Sequence, residues 1–230
     1  MRIYSIFNSI NGEVNHRGQG SWVTFIRLAG CNLRCKYCDT QYAQGKDSGE
    51  EMTVPEVIEK IDLQNVLITG GEPLWQMKDF RKLCWELVAQ GYDVSVETNG
   101  TLLIPTEFTY PFNPSLTFSI VNWIVDYKLP GAGLADELFK WKNIEYLRNR
   151  DFIKFVITDD NDYNTAKDII REVRRRNTLV NLAFSPIMSD HHVIGQMGPN
   201  QLYEKMMLDG LFDVHLNFQL HKLVKLEEPW

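Results

Sequence analysis

An apolar run leads directly into three closely spaced cysteines in the segment Trp22–Cys38, which reads WVTFIRLAGCNLRCKYC. Its first part, Trp22–Leu28, is rich in β-branched and aromatic residues and predicts a buried strand. Active sites of parallel α/β sheets lie beyond the carboxyl ends of the strands. The segment therefore predicts an α/β fold that carries its chemistry in the loop after this strand.

Further apolar runs that predict strands are Val66–Thr69, Val94–Glu97, Trp123–Tyr127, Ile153–Thr158, Val180–Phe184 and Val214–Phe218, with a shorter one at Ile3–Phe7. Helical spacing of apolar residues separates most of them, in segments 53–61, 80–88, 134–144, 163–173 and 198–207. Near-continuous apolar strands alternating with helices are typical of a parallel sheet covered by helices. We expect one α/β domain with fewer helices than strands.

Composition excludes several classes of function. The chain has 230 residues, with 24 Lys and Arg against 30 Asp and Glu, which gives a net charge of −6. This acidic balance argues against binding nucleic acid directly, and the basic run Arg174–Arg176 is read as the end of a helix. No apolar run approaches the roughly 18 residues of a membrane span, and no signal peptide is readable, so a cytoplasmic protein is expected.

The cysteines point to metal or redox chemistry. Of four, Cys31, Cys35 and Cys38 form a C-x3-C-x2-C pattern, and Cys84 is read as a small buried hydrophobe. Three thiolates on one loop can hold an iron–sulfur cluster and leave one iron open. Structural zinc and a dithiol pair of Cys35 and Cys38 remain alternatives, although zinc needs a fourth ligand and the pair leaves Cys31 unexplained.

The cysteine loop and Gly70-Gly71-Glu72-Pro73 resemble the radical S-adenosylmethionine superfamily. Other segments resemble its 7-carboxy-7-deazaguanine synthase family: Ser9–Glu13, Phe25–Gly30, Cys38–Thr40, Glu97–Gly100, Val125–Pro130, Phe184–Pro186 and Gln219–Lys222. The resemblance covers nearly the whole chain. It implies a partial (β/α)6-type radical SAM barrel with reduced helices.

The resemblance also implies the reaction. A radical SAM lyase would convert 6-carboxy-5,6,7,8-tetrahydropterin to 7-carboxy-7-deazaguanine by ring contraction with loss of ammonia. The cofactors would be a 4Fe–4S cluster, S-adenosyl-L-methionine and Mg²⁺. An electron donor such as flavodoxin and a homodimer are expected, and the product could enter queuosine or another 7-deazapurine. The alternatives are a glycyl-radical-enzyme activase, or another radical SAM enzyme with a different substrate, and a non-enzymatic metal-bearing binding module.

Roles for single residues follow from the same resemblance. Cys31, Cys35 and Cys38 would ligate the cluster, and Thr40 would bind Mg²⁺ unless it only caps a turn. The expected S-adenosylmethionine contacts are Tyr37, Gly70, Gly71, Glu72, Asn99, Lys128 and Ser185. The expected substrate contacts are Asn11, Glu13, Arg27, Gln219 and His221. A buried Arg27 needs an anion, and either the substrate carboxylate or Glu97 could supply it.

Two departures from the family concern the substrate side. Val14 stands where the family usually has glycine, and the chain ends soon after His221-Lys222, at Trp230. We expect a single domain over residues 1–230, in which segments 1–20 and 213–230 close over the substrate. Both departures put the placement of the substrate in question rather than the radical chemistry.

Overall fold

A mixed sheet of nine strands organises the chain in the computed structural model, which describes residues 1–109, 121–134, 138–189, 192–193 and 197–224. The strands are β1 (Arg2–Ile10), β2 (Trp22–Leu28), β3 (Glu50–Glu51), β4 (Asn65–Gly70), β5 (Asp93–Thr98), β6 (Asn122–Tyr127), β7 (Phe152–Ile157), β8 (Asn181–Pro186), β9 (Met188–Ser189), β10 (His192–Val193) and β11 (Val214–Leu216). The order across the sheet is β11-β8-β7-β6-β5-β4-β2-β1-β3, while β9 and β10 form a separate antiparallel pair.

The parallel part of the sheet confirms the predicted strands. Strands β2, β4, β5, β6, β7, β8 and β11 pair in parallel, and each coincides with one of the predicted apolar runs. The early run extends to Arg2–Ile10 and pairs antiparallel to β2, with β3 antiparallel on its other side. The loop between β1 and β2 carries no crossover helix, so the chain returns antiparallel at this edge.

Helices cover one face of the sheet but do not follow every strand. They are α1 (Val54–Ile58), α2 (Met77–Ala89), α3 (Asp160–Arg176), α4 (Pro199–Leu208) and α5 (Leu220–Leu223). A capping box begins α1, since the Thr53 hydroxyl and the Glu56 carboxylate each accept a hydrogen bond from the other residue's backbone N–H. Between β5 and β7 the described residues contain only 3-10 helices, at Thr106–Phe108, Pro130–Ala132 and Trp141–Tyr146.

The predicted helix over segment 134–144 is therefore wrong in its described part. Gly133 takes a left-handed backbone conformation that ends the 3-10 helix Pro130–Ala132. The buried Asn143 side chain then bonds to the backbone of Ile104, Leu102 and Gly100, which holds this connection against the preceding loop. Residues 135–137 of this prediction lie outside the described residues.

The second face of the sheet changes from apolar to polar along its strands. An apolar cluster there comprises Val14, Val23, Leu67, Ile124, Phe152 and Ala183, with Phe25 packed against it. Two residues further along the same strands the side chains are Arg27, Thr69, Asp126, Lys154 and Ser185. Because side chains alternate between faces with a period of two, these polar groups lie on the same face at the carboxyl end of the sheet. Among the described residues, no helix is long and apolar enough to cross a membrane.

Candidate active site

A cavity of about 470 Å³ lies at the carboxyl ends of the parallel strands. It is lined by every residue that the sequence predicts for the site except Glu72. These are Asn11, Glu13, Arg27, Cys31, Cys35, Tyr37, Cys38, Thr40, Gly70, Gly71, Asn99, Lys128, Ser185, Gln219 and His221. The structure therefore brings the predicted cofactor residues and the predicted substrate residues into one space.

The turn after β4 packs backbone against backbone beside the cysteine loop. The N–H of Gly71 donates to the Leu28 carbonyl at 2.9 Å, and the N–H of Glu72 donates to the Gly30 carbonyl at 2.8 Å. A Cβ atom at Gly70 or Gly71 would lie 2.1 Å from the carbonyl oxygen of Leu28 or Gly30. Only glycine allows this approach, so the Gly-Gly pair fixes β4 directly against the chain that enters Cys31.

Glu72 lies behind the cavity wall and is fully buried. Its carboxylate accepts hydrogen bonds from the Asn99 N–H at 2.7 Å, the Thr98 hydroxyl at 2.8 Å and the Leu74 N–H at 3.0 Å. Burial raises the pKa of Glu72 although these donors act in the opposite direction. Glu72 thus ties the end of β4 to the end of β5 and positions Asn99; its contact with S-adenosylmethionine stays a prediction.

The three loop cysteines are free thiols, each of intermediate exposure. Burial raises the pKa of Cys35 to about 11, although Lys128 lowers it, and burial also raises the pKa of Cys31. Metal binding deprotonates thiol ligands, so bound iron would overcome the raised pKa values of Cys31 and Cys35. Among the described residues no three Cys, His, Asp or Glu side chains converge on a site that could hold a single metal ion. A cubane offers each thiolate its own iron, so these ligands need not converge.

Polar side chains surround the cysteine loop on its cavity side. The Asn99 amide donates to the Asn32 side chain at 3.0 Å and lies 3.9 Å from the Cys31 sulfur. The Lys128 ammonium donates to Asp126 at 2.8 Å and lies 5.6 Å from the centre of the Tyr37 ring. Within the described structure the buried Tyr37 hydroxyl has no hydrogen-bond partner. An aromatic face and an amide beside three thiols fit a cofactor that carries both an adenine ring and polar ends.

Arg27 supplies a positive charge to the other end of the cavity. It is 5% exposed, and its guanidinium carbon lies 5.7 Å from the ring centres of both Phe7 and Tyr42. Its charge also acts on Glu97, which accepts a hydrogen bond from the Thr69 hydroxyl at 2.8 Å. Burial nevertheless raises the pKa of Glu97, so this carboxyl keeps its proton to a higher pH than an ordinary glutamate.

Lys154 on β7 lines the cavity and was not predicted from the sequence. Its ammonium donates to the Glu13 carboxylate and lies 3.6 Å from the Asp126 carboxylate. The signal was available, because Lys154 interrupts the apolar strand Ile153-Lys154-Phe155 just as Arg27 interrupts β2. The Gln219 amide also donates to Glu13, at 2.8 Å, so two predicted substrate residues already contact each other.

The two segments expected to close the site are joined by hydrogen bonds. The fully buried Asn217 accepts from the Val14 N–H at 2.9 Å and from the Gln19 amide at 3.0 Å, and it donates to Ser185. The Leu220 N–H donates to the Gly12 carbonyl at 2.9 Å. Asn217 carried no sequence signal beyond its position in an apolar run.

Two further observations concern the same segments. A Cβ atom at Gly12 would lie 2.1 Å from Nδ1 of His221, so glycine makes room for that ring. The Val14 side chain packs in the apolar cluster and does not line the cavity, so this departure from the family changes the core rather than the cavity surface. The expected effect of the short tail falls on residues 225–230, which lie outside the described residues.

Thr40 follows the cysteine loop and faces the cavity. Its hydroxyl lies 3.6 Å from the Cys38 sulfur, and its side chain makes no cap to the short 3-10 helix Gln41–Ala43 that follows. The capping role considered for Thr40 is therefore not seen. The neighbouring Asp39 accepts from the Lys222 ammonium at 2.8 Å. Burial acts to raise the pKa of Asp39, but Lys222 outweighs it and lowers the pKa to about 2.

Comparison with known proteins places this geometry in a family. A family model described as the Radical SAM superfamily matches residues 25–108, which include the cysteine loop and the Gly-Gly turn. The 7-carboxy-7-deazaguanine synthase of Clostridium acetobutylicum is 35% identical, over 97% of this chain and 95% of that protein. The synthase of the same name from Koribacter versatilis is 32% identical, over 97% and 96%.

A solved structure shows the same fold. The crystal structure of QueE from Escherichia coli superposes with a TM-score of 0.67, over 95% of this chain and 93% of that one, at 19% identity. This likeness confirms the predicted partial barrel, in which some strands lack a covering helix.

The parallel sheet, the three-cysteine loop and the family model together define a radical SAM enzyme, whose cofactors are a 4Fe–4S cluster and S-adenosylmethionine. Within that superfamily, identity above 30% over nearly the whole length shows that the chain belongs to the 7-carboxy-7-deazaguanine synthase family.

Proposed function

We propose that this enzyme converts 6-carboxy-5,6,7,8-tetrahydropterin into 7-carboxy-7-deazaguanine by a radical ring contraction that releases ammonia. The observation that carries the proposal is the shared cavity, in which the three-cysteine loop and the charged groups Glu13 and Arg27 line one space. A radical made at one end can then act on a substrate held at the other. The names of the relatives support the product.

Cys31, Cys35 and Cys38 are proposed to hold the cluster, which when bound and reduced cleaves S-adenosylmethionine into methionine and a 5′-deoxyadenosyl radical. The chain's own groups orient that molecule. The backbone of Gly70 and Gly71 is free of side chains and suits the methionyl amine, and the Tyr37 ring suits adenine. Asn99, Lys128 and Ser185 supply further polar contacts, with Asn99 held in place by Glu72.

The substrate end offers complementary charge. The planar Arg27 guanidinium can bind the pterin carboxylate through two hydrogen bonds. The Glu13 carboxylate can accept hydrogen bonds from the amino group and ring N–H of the pterin, beside Gln219 and His221. Asn11 is 1% exposed and donates to the carbonyls of Glu13 and Gly18, so it braces the loop that presents Glu13.

Further parts of the proposal concern the metal ion, the closure of the site, the electron donor, the oligomer and the destination of the product. Thr40 with bound waters would hold Mg²⁺, since this ion prefers oxygen ligands and keeps several waters. Segments 1–20 and 213–230 would close over the substrate, supported by the hydrogen bonds of Asn217 and Leu220. Cleavage needs one electron, for which flavodoxin is the proposed donor. The exposed side chains of Leu208 and Phe212, near edge strand β11, support a homodimer. Queuosine or another 7-deazapurine is the proposed destination of the product.

The decisive assay is anaerobic. The protein, reconstituted with iron and sulfide, is given dithionite, S-adenosylmethionine, Mg²⁺ and 6-carboxytetrahydropterin, and the products are followed by mass spectrometry. We expect 7-carboxy-7-deazaguanine to form without proportional consumption of S-adenosylmethionine. Formation of 5′-deoxyadenosine without that product would contradict the proposed substrate. A glycyl-radical signal on a partner protein would instead support the activase alternative.

A further inference from the structure

A line of alternating charges crosses the floor of the cavity. It comprises Glu13, Lys154, Asp126 and Lys128, and we name it the charge chain. The Lys154 ammonium donates to Glu13 and lies 3.6 Å from Asp126, and Asp126 accepts from Lys128 at 2.8 Å. Glu13 lies in the loop after β1, Lys154 on β7 and Asp126 on β6. The charge chain therefore connects the substrate end of the cavity to the cofactor end.

Lys154 is buried in an unusual setting for a lysine. Its side chain is 9% exposed and that of Glu13 is 12% exposed, and a lysine is almost never this buried without a partner. Burial acts to raise the pKa of Glu13, but the charge and hydrogen bond of Lys154 outweigh it and lower the pKa. Burial acts to lower the pKa of Lys154, but Glu13, Asp126 and Glu97 outweigh it and raise the pKa well above its ordinary value.

We propose that Lys154 is a positioning residue for the substrate, which fixes the Glu13 carboxylate at the substrate end of the cavity while Asp126 anchors Lys154 from the other side. The inference deepens the proposed function and rests on it, since Glu13 is the group assigned there to the pterin ring. The Lys154 ammonium donates to Oε2 of Glu13 and the Gln219 amide donates to Oε1, so both carboxylate oxygens are held in fixed directions. Without Lys154, the buried Glu13 carboxylate would lose its main positively charged partner.

Other charges also surround Glu13 and must be considered in any pH experiment. They are Glu97 on β5, Asp126 on β6, His221 on α5, Arg27 on β2, and Lys128 and Asp39 at the cavity wall. Of the groups that act on Glu13, Lys154 has the largest pKa-lowering effect, ahead of Gln219 and His221. Lys154 also acts on Glu97 and Asp126, so the dissociation constants are compared again in an E13Q background, which isolates the part that acts through Glu13.

The test measures binding rather than turnover. Cluster-loaded enzyme with S-adenosylmethionine and Mg²⁺ is titrated with 6-carboxypterin, a stable oxidised analogue, by fluorescence between pH 6 and 9. Lys154→Met should weaken binding about 30-fold at pH 7, because one partner of a buried charge pair is gone. The deficit should shrink as the pH rises, because removal of Lys154 leaves burial as the largest influence on Glu13 and raises its pKa, so that more of this carboxyl is ionised at higher pH. The exposed Lys60→Met serves as matched control and should bind as wild type.

A double-mutant cycle separates positioning from other roles. In the E13Q background, Lys154→Met should change the dissociation constant less than about 3-fold, because the group through which it acts is neutral. This comparison removes both charges and stays informative if K154M alone folds poorly. Lys154→Arg keeps the charge and should restore most of the binding.

The outcomes separate the inference from the proposed function. An equal loss from K154M in both backgrounds, or a loss independent of pH, would overturn the inference while leaving the proposed function intact. If wild-type enzyme fails to bind 6-carboxypterin while it still cleaves S-adenosylmethionine, the proposed substrate fails and the inference fails with it.

Discussion

The two ends of the sheet both bury polar side chains, but those at the carboxyl end line the cavity and those at the amino end do not. At the amino end, Nε2 of His16 lies 3.0 Å from the Asp93 carboxylate, the Arg17 guanidinium pairs with the same carboxylate, and Asn15 donates to the Ser95 hydroxyl at 3.2 Å. None of these residues lines the cavity. At the carboxyl end, Arg27 and Lys154 are buried and line about 470 Å³ of open space, which Glu97 also lines.

The difference shows which buried polar groups belong to function. Ser95, His16 and Asp93 even have the residue types of a nucleophilic triad, with the Ser95 hydroxyl 3.4 Å from Nδ1 of His16. Ser95 is 2% exposed, so a substrate has no access to it. Hydrogen bonds among protein groups pair most of the polar atoms at this end and stabilise the fold, whereas the charges at the other end face a space that a ligand can fill.

The largest effect is expected from the cysteine loop. Cys35→Ala removes one of the thiolates for the cluster, so iron content should fall and cleavage of S-adenosylmethionine should be abolished while the fold persists. Iron analysis, circular dichroism and an assay for 5′-deoxyadenosine check this. Cys84→Ala, in the buried core of α2, is the matched control and should keep cluster and activity. Full activity in the C35A variant would contradict the assignment.

The second-largest effect is expected from Arg27→Ala. Loss of the buried guanidinium should weaken pterin binding roughly 100-fold, because the substrate carboxylate loses its partner in a desolvated site. Affinity for S-adenosylmethionine should change little. Calorimetric titration of both ligands measures the two effects, with the exposed Arg171→Ala as control. Equal losses for both ligands would remove the carboxylate role from Arg27.

His16→Ala probes the opposite end of the sheet. Removing the ring leaves buried hydrogen-bonding groups of Asp93 and Ser95 with fewer partners, so the free energy of unfolding should fall by about 2 kcal/mol. Pterin affinity should stay unchanged because the cavity is untouched. Urea unfolding and the fluorescence titration measure the two quantities. The exposed His215→Ala should change neither. A loss of pterin affinity in H16A would remove the distinction between the two ends.

The smallest expected effect is a dependence on pH at the amino end. Burial acts to raise the pKa of Asp93, but His16 and Arg17 outweigh it and lower the pKa below its ordinary value of 3.8. A lowered native pKa stabilises the fold above pH 3.8, and this contribution is lost as the pH falls through the native value. Asp93→Asn should therefore cost about 1 kcal/mol at neutral pH and less at pH 3. A cost that is constant with pH would contradict the charge effect.

Much of this molecule follows from local sequence pattern. The apolar runs predicted the parallel strands, because a run of β-branched and aromatic residues is a local property of the sequence. Lys154 was missed, although a charge two positions after an inward apolar residue marks it as clearly as it marks Arg27. The same position, two residues after an inward-facing apolar residue, is occupied by Asp126 on β6 and by Lys154 on β7.

Other features depend on contacts far apart in sequence. The Glu72 carboxylate turns toward Thr98 and Asn99 of the next strand rather than into the cavity, and no local pattern reveals that choice. The hydrogen bonds of Asn217 to Val14 and Gln19 join residues about two hundred positions apart. In the described residues between β6 and β7, the absence of an α-helix likewise goes with the hydrogen bonds of Asn143, whose partners lie in the loop before β6. Tertiary hydrogen bonds overrode helical spacing there.

The central claim is that one cavity holds the pterin and S-adenosylmethionine in contact at the carboxyl end of the sheet. The most direct measurement places deuterium on the pterin carbon that bears the carboxylate and follows it by mass spectrometry during anaerobic turnover. The account predicts that deuterium appears in the 5′-deoxyadenosyl group of S-adenosylmethionine as 7-carboxy-7-deazaguanine forms. Product formation with no deuterium in that group would contradict it.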